Sequence, residues 1–197
     1  MVQGKELDQT TILASGTDTR GIVYAILELA DRVTHSENPF DALTIPQPIV
    51  EQPANTIRSI ARLFTSEVED KSWFYNRDFW KHYLSMLIAQ RYNRFNLSLG
   101  LGYNFPRNVS DVYFYFAYPY LVSVPGYDVR ISDLPDGERD HNLEMLRFIG
   151  KETVANGLQF QLALWTHACE WVDSPDAHAV VEGLTSENHA AYCRDAL

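Results

Sequence analysis

The fold is decided by three consecutive stretches: RSIARLF at 58–64, SEVEDKSWFYNRDFWKHYLSMLIAQRYNRFN at 66–96 and LSLGLGYN at 97–104. The first is short and apolar, which predicts a strand that ends near Phe64. From Asp78 onward, apolar residues recur at intervals of three and four, as on a helix with one buried face. The predicted face consists of Phe79, Tyr83, Met86, Leu87 and either Gln90 or Tyr92. Alternating apolar residues over 94–102 predict a second strand, and such strand–helix–strand units form parallel sheets.

The same alternation of elements continues toward the C-terminus. A helix is predicted over Glu138–Asn156, and a third strand over Leu158–Leu164. Between the second strand and this helix lies a long insertion, Tyr103–Asp136, which is dense in aromatic residues. Loops of this length are commonly functional or carry small structure of their own, and we interpret the aromatic run 113–120 as a packed loop rather than a binding wall. A last helix is predicted from Thr185 or Ser186 to the end.

The first 55 residues have a different character. Residues 1–10 predict no regular element, and Thr11–Ala14 predicts a short strand. A helix capped by Thr17 or Asp18 is predicted to follow over Ile22–Val33. Its predicted buried face consists of Ile22, Ala25, Ile26, Leu29 and Val33. The segment 35–55 contains four prolines, which exclude a central strand or a long helix and predict a linker.

Composition excludes several classes of partner. The chain has 197 residues and a net charge of −10, which argues against binding to a nucleic-acid backbone or an anionic membrane. No apolar run approaches the roughly 20 residues of a spanning helix. No signal peptide is recognisable, so cytoplasmic and secreted or periplasmic locations both stay open.

Cys169 and Cys193 have no metal-binding spacing and are interpreted as two thiols, with a disulfide as the alternative. We predict neither a cofactor nor a metal site.

Several segments resemble a known group of enzymes. ILASGTDTRGIVYAILELADRV at 12–33 is similar to the end of the small α/β domain that precedes the barrel in several glycoside hydrolases, the hexosaminidases and α-glucuronidases among them. RSIARLF and the NRFN at 93–96 resemble the first and second barrel strands of these enzymes, and LQFQLALWTHA at 158–168 resembles the third. The resemblance runs from about Ile12 to the end of the chain and marks a barrel family rather than one substrate.

This resemblance implies an α/β fold that is a partial (β/α)8 (TIM) barrel of about three βα units. Residues 1–38 would be the remnant of the small N-terminal α/β domain, 39–55 the proline-rich linker and 56–197 the N-terminal part of the catalytic barrel. A full barrel needs roughly 250 residues. We therefore expect a truncated protein that self-associates through its open barrel edge. The family's catalytic carboxylates lie on later strands, so no catalytic residue is assigned here.

Polar and aromatic residues follow each predicted strand, where α/β sheets place their ligand sites. Sugars stack on aromatic rings and form hydrogen bonds with amides, imidazoles and carboxylates, so this mixture suits a carbohydrate ligand. The predicted substrate-binding residues are Glu67, Asp70, Tyr103, Asn104, Trp165, His167 and Glu170. The alternatives are a solvated acidic loop for the first two, a core position for Trp165 and a structural role for His167.

Two functions from different classes follow. The first is a glycoside-hydrolase-like, carbohydrate-active protein whose complete form hydrolyses O-glycosyl bonds, with this chain carrying part of the substrate face. The second is a non-catalytic fragment or subunit that completes its barrel with a partner. A Ser-His-Asp hydrolase is disfavoured because the sequence contains no GxSxG motif.

Overall fold

A three-stranded parallel sheet lies at the centre of the fold. The computed structural model describes residues 1–6, 9–100, 113–164 and 180–197, without the side chains of residues 2–10. Within these ranges the protein is mixed α/β, with seven helices and three sheets. The elements are β1 Val2–Glu6, β2 Gln9–Leu13, α1 Thr19–Thr34, α2 Pro39–Ala42, β3 Ser59–Leu63, α3 Glu67–Phe74, α4 Arg77–Ala89, β4 Arg94–Leu99, α5 Tyr118–Leu121, β5 Arg130–Ile131, α6 Glu138–Ala155, β6 Gln159–Leu164, β7 Val181–Glu182 and α7 His189–Asp195.

The parallel sheet has the strand order β3–β4–β6, which is also the order of the strands in the sequence. Ile60 of β3 lies opposite Phe95 of β4, and Phe95 lies opposite Phe160 of β6. Both pairings are parallel. The predicted arrangement of three adjacent parallel strands is therefore confirmed, although β4 ends at Leu99 rather than at residue 102.

The two faces of this sheet differ in chemistry because successive side chains of a strand point to opposite faces. One face carries the rows Ile60–Phe95–Phe160 and Arg62–Leu97–Leu162, and the other carries Ala61–Asn96–Gln161 and Leu63–Ser98–Ala163. On the first face, Phe95 is fully buried and its ring lies 5.7 Å from that of Trp80. On the second face, Ala61 and Gln161 are exposed. Parallel sheets are usually covered on both faces, whereas this face is partly open, because Ser98 is buried but Ala61, Leu63 and Gln161 are exposed.

The buried side of α4 is shifted by one position from the predicted side. Trp80, Leu84 and Leu87 are buried, whereas Met86 is 43% exposed. The predicted buried face is therefore confirmed at Leu87 and wrong at Met86, and the spacing of four and three is as expected. The indole N–H of Trp80 donates to the carbonyl of Phe74 at 2.9 Å. This bond satisfies the one polar atom of the side chain and permits its complete burial.

The acidic segment after β3 is helical, so the alternative of a solvated acidic loop at Glu67 and Asp70 is wrong. Ser66 caps α3 by accepting a hydrogen bond from the backbone N–H of Glu69. Glu67, Glu69 and Asp70 occupy the first turn, where carboxylates interact favourably with the helix dipole. Glu67 and Glu69 lie two residues apart on this helix, so their side chains diverge by roughly 200°.

Residues 1–58 and 85–93 form one compact unit, and residues 59–84 and 94–197 form another. In the first unit, β1 and β2 form an antiparallel hairpin, so the prediction that residues 1–10 are irregular is wrong. Asp18 caps α1, because its carboxylate accepts a hydrogen bond from the backbone N–H of Gly21. Of the two predicted caps, Thr17 and Asp18, the structure therefore has Asp18. The predicted apolar face of α1 is present in the sequence but not buried in the described structure, and Ile26 is 55% exposed. The predicted domain boundaries remain predictions.

We expect the central strand to dominate the stability of the second unit. Leu97 is fully buried on β4, so Leu97→Ala should lower the free energy of unfolding by about 2–5 kcal/mol through lost burial and a residual cavity. Val68→Ala is the matched control, because Val68 is 89% exposed and its truncation should change stability by less than about 0.5 kcal/mol. Urea denaturation measures both, and equal effects would contradict the described core.

Candidate functional site

A polar network lies at the beginning of α6. Gly137 precedes the helix with a φ of 80°, a left-handed conformation that glycine adopts without a Cβ penalty. The chain can therefore turn sharply into α6 and place Glu138 in the first helical turn. Asn142 follows four residues later on the same side of the helix, because residues four apart share a face. These two side chains are the centre of the network.

The carboxylate of Glu138 is held by two donors from other elements. The ammonium of Lys71, on α3, lies 2.6 Å from Oε1, and the hydroxyl of Tyr113 donates to the same oxygen at 2.5 Å. Lys71 also bonds to Glu67 at 2.6 Å, and its Nζ lies 4.5 Å from the centroid of the Tyr113 ring. One ammonium therefore joins two carboxylates and an aromatic face.

Asn142 is fully buried and satisfies its amide within the network. Its Oδ1 accepts from the hydroxyl of Tyr75 at 2.5 Å. Its Nδ2 donates to the hydroxyl oxygen of Tyr113 at 2.9 Å and to the carbonyl of Tyr120 at 3.2 Å. A fully satisfied buried network fixes the side chains that compose it, so the positions of both tyrosine rings are set by hydrogen bonds as well as by packing.

The network also fixes the charge of its members. Burial alone would raise the pKa of Glu138, but hydrogen bonds from Lys71 and Tyr113 outweigh it and lower this pKa below its usual value. Burial alone would lower the pKa of Lys71, but the hydrogen bonds of its ammonium to Glu138 and Glu67 outweigh burial and raise this pKa. Burial, followed by the bond to Glu138, raises the pKa of Tyr113. At neutral pH the group therefore consists of a carboxylate, an ammonium and a neutral phenol.

Aromatic packing connects this network to the carboxyl end of β3. Phe64, directly after β3, is fully buried and lies 5.6 Å from Tyr113 between ring centroids, in a stacked arrangement. Its ring also meets Phe74 at 5.5 Å and Phe114 at 4.9 Å, both edge-on. The interpretation of 113–120 as a packed segment is confirmed, because Tyr113, Phe114 and the six residues after them are buried.

A pocket of about 340 Å³ opens beside the network. Its lining residues are Tyr75, Pro135, Asp136, Gly137, Glu138 and His141. The Tyr75 and His141 rings pack with their centroids 4.4 Å apart and their planes 31° apart. Because α6 leads back to the start of the parallel strand β6, its N-terminus lies toward the carboxyl ends of the strands. This is the edge where open and closed α/β sheets hold their ligands.

Two of the seven predicted binding residues lie within the described structure. Glu67 is exposed and bonds to Lys71, so it stands at the border of the network. Asp70 accepts bonds from the backbone N–H groups of Thr65 and Ser66 at 2.6 and 2.9 Å, and from the indole N–H of Trp73 at 2.8 Å. These bonds outweigh the effect of burial and lower the pKa of Asp70. The other five, Tyr103, Asn104, Trp165, His167 and Glu170, lie outside the described residues.

The residues of the pocket and of the network behind it are not among the predicted site residues. No sequence pattern marks Tyr75, His141 or Asn142 as site residues, and Tyr113 is predicted only as part of the packed run 113–120. One local signal was available: Asp136-Gly137-Glu138 marks a glycine turn into a helix, with Asn142 one turn later. The distant partners Lys71 and Tyr113 have no such signal, because they meet Glu138 only through tertiary packing.

The described residues contain no group of three or more metal-ligating side chains placed to hold a metal ion. Over the same residues, none of the helices has the length and apolar character needed to cross a membrane.

The ion pair predicts a specific acid dependence of stability. Folding lowers the pKa of Glu138, so its carboxylate stabilises the folded protein at pH values above the ordinary glutamate pKa. This stabilisation is lost as the pH falls through the pKa of Glu138 in the folded protein. Glu138→Gln should lower the free energy of unfolding by about 1–3 kcal/mol at neutral pH. It should also reduce the loss of this free energy as the pH falls. Glu144→Gln is the control, since Glu144 pairs with Arg77 on the exposed side of the same helix. Urea denaturation at several pH values measures this free energy. If Glu138→Gln and the unchanged protein lost the same free energy of unfolding on acidification, the prediction would be contradicted.

Comparison with known proteins gives a likeness of fold. No protein-family model and no curated protein sequence matches the chain. Among solved structures, the chain is similar to a GH138 enzyme targeting pectin rhamnogalacturonan II, with a TM-score of 0.54 and 20% sequence identity. The alignment covers 81% of this chain and 18% of that enzyme's chain, so this chain spans less than a fifth of the enzyme's length. At this identity, the likeness concerns the fold.

Proposed function

We propose that this chain is part of a glycoside-hydrolase-like, carbohydrate-active protein and contributes one wall of its sugar-binding site. The observation that carries the proposal is the likeness over 81% of the chain to an enzyme targeting pectin rhamnogalacturonan II. The parallel order β3–β4–β6 agrees with the first three strands of a (β/α)8 barrel, which is the finer architecture we propose. The small N-terminal domain, the linker and the barrel part keep the boundaries given above.

The pocket beside α6 has the chemistry that a sugar ring requires. The aromatic pair of Tyr75 and His141 offers apolar ring surface to the axial C–H groups of a sugar. The carboxylates of Asp136 and Glu138 are acceptors for sugar hydroxyls, and hydrogen bonds to charged groups contribute about 1.5–3 kcal/mol each. The network behind the pocket holds both Tyr75 and Glu138 in place before a ligand arrives, which reduces the entropic cost of binding.

The roles of the individual carboxylates follow from their surroundings. A general acid in glycoside cleavage must be protonated near the working pH, but Lys71 and Tyr113 keep Glu138 ionised. We therefore assign Glu138 to binding and not to proton donation. Asp70 uses its oxygens to hold the turn between β3 and α3, so it would act by positioning Glu67. Tyr103, Asn104, Trp165, His167 and Glu170 remain proposed substrate contacts, and no catalytic pair is assigned.

The second candidate function is a non-catalytic piece that completes its sheet with a partner. The observation in its favour is that β3 is an outer strand of the parallel sheet formed by the described residues, with Ala61 and Leu63 exposed to solvent. In this case the chain would self-associate or bind a second polypeptide through the outer edge of β3. Sedimentation of the purified chain separates the two candidates, because a monomer that binds sugar supports the first one alone.

Sugar binding tests the proposed function. We expect the chain to bind oligosaccharides released from pectin with millimolar or tighter affinity, measured by calorimetry. Tyr75→Ala should weaken this binding by at least about tenfold, because it removes the stacking surface. Tyr127→Ala is the control, since Tyr127 lies outside the pocket and donates to Asp195. Equal affinity of Tyr75→Ala and the control, or no binding to any oligosaccharide, would contradict the proposal.

A further inference from the structure

We propose that Arg62 and three aromatic rings around it form a second ligand site, outside the pocket beside α6, which binds the carboxylate of a small organic acid. Arg62 belongs to β3 and shares the apolar face of the sheet with Leu97. Its guanidinium lies over the rings of Trp73 at 4.1 Å, Phe79 at 4.8 Å and Tyr83 at 5.4 Å from the ring centroids. These three rings, from α3 and α4, are the aromatic cage of Arg62.

The aromatic cage stabilises the charge of Arg62 but supplies no oxygen acceptor for its N–H groups. A guanidinium has five N–H donors. In the part of the chain that the structure describes, the buried Nε has no hydrogen-bond partner, and no carboxylate or carbonyl oxygen is bonded to the guanidinium. A partly desolvated cation is costly unless an anion and hydrogen bonds compensate it. The site therefore favours a ligand that brings negatively charged oxygens.

Two other arginines of the described residues also lie over aromatic rings, and both have oxygen acceptors. Arg58 lies 5.9 Å from the centroid of the Tyr24 ring, and its Nε and Nη1 donate to backbone carbonyls at 2.7 and 2.9 Å. Arg77 lies over a phenylalanine ring and pairs with the carboxylate of Glu144. An aromatic contact therefore does not replace oxygen acceptors at these two positions. Arg62 differs from them in this respect alone, which indicates a place for an acceptor from outside.

The aromatic cage is held in place by contacts of its own members. The indole N–H of Trp73 donates to the carboxylate of Asp70 at 2.8 Å. The rings of Phe79 and Tyr83 are stacked, with centroids 5.4 Å apart and planes 12° apart. The guanidinium is therefore fixed before a ligand arrives, which reduces the entropic cost of binding.

The geometry and the charge of the site favour a carboxylate over a tetrahedral dianion. The planar fork of a guanidinium matches the two oxygens of a carboxylate in a bidentate contact. Because Nε is buried, the ligand would meet the two outer nitrogens of Arg62. The chain has a net charge of −10, and the carboxylate of Asp70 lies directly beside Trp73. This field repels a doubly charged anion such as sulfate more strongly than a singly charged one.

NMR of the full chain tests the site through the Nε–H signal of Arg62, which Arg62→Gln identifies by its loss. At constant ionic strength, replacing sodium chloride with sodium acetate should shift this signal in a saturable way and leave the Arg58 signal unchanged. Sodium sulfate should bind more weakly. Methyl α-D-galacturonide should also shift the Arg62 signal, whereas neutral methyl α-D-galactopyranoside should not. Tighter binding of the galacturonide than of acetate identifies a sugar acid as the ligand, and equal or weaker binding identifies a simple organic acid.

Variants localise the effect, with the indole N–H signal of Trp73 as the reporter. Arg62→Gln removes the fork and should weaken acetate binding by at least about tenfold, because hydrogen bonds to charged groups are lost. Arg58→Gln is the control and should leave the affinity unchanged, since Arg58 already has acceptors.

Three results would overturn the proposal. The first is no saturable shift of the Arg62 signal with acetate or the galacturonide in the unchanged protein. The second is sulfate binding as tight as acetate binding, and the third is equal acetate affinity of Arg62→Gln and Arg58→Gln. The proposed function is tested at Tyr75 in a different pocket, so either proposal can fail without the other.

Discussion

The arrangement of the second unit depends on one carboxylate, that of Glu138, which receives the ammonium of Lys71 and the phenol of Tyr113. Through these two contacts α6 is joined to α3 and to the aromatic segment that begins at Tyr113. Asn142 extends the connection to Tyr75. A half-buried pair of this kind is stable only when its polar atoms are satisfied, and here both partners have further acceptors or donors. The network also shapes the pocket, because it fixes two of the lining residues, Tyr75 and Glu138.

A second constraint places the network at the edge of the sheet where strands end. Asp70 binds the backbone of Thr65 and Ser66, so the chain turns at once from β3 into α3. The turn brings Lys71 to the carboxyl end of β3, and the buried ring of Phe64 packs against Tyr113 there. The acidic residues of this turn thus have a structural function first, and their contribution to a ligand site comes through what they position.

The sheet could be predicted from the sequence, whereas the site could not. Strand and helix periods are local, so β3, β4, β6 and α6 follow from the spacing of apolar residues near each element. Ser66 followed by Glu69 is a capping pattern that also indicates the start of α3. The network joins Lys71, Tyr113 and Glu138, which are far apart in sequence, and no spacing rule relates them. The apolar stripe of α1 predicted burial, but periodicity does not say whether a covering element exists.

Lys71 and Tyr113 act together on Glu138, and a double-mutant cycle measures this coupling most directly. Lys71→Met and Tyr113→Phe each remove one donor, and the free energies of unfolding of both single variants and the double variant are compared by urea denaturation. Groups that share one carboxylate should show a coupling of about 0.5–3 kcal/mol. Effects that add within about 0.3 kcal/mol would show that the two donors are independent, and would contradict the network on which the pocket depends.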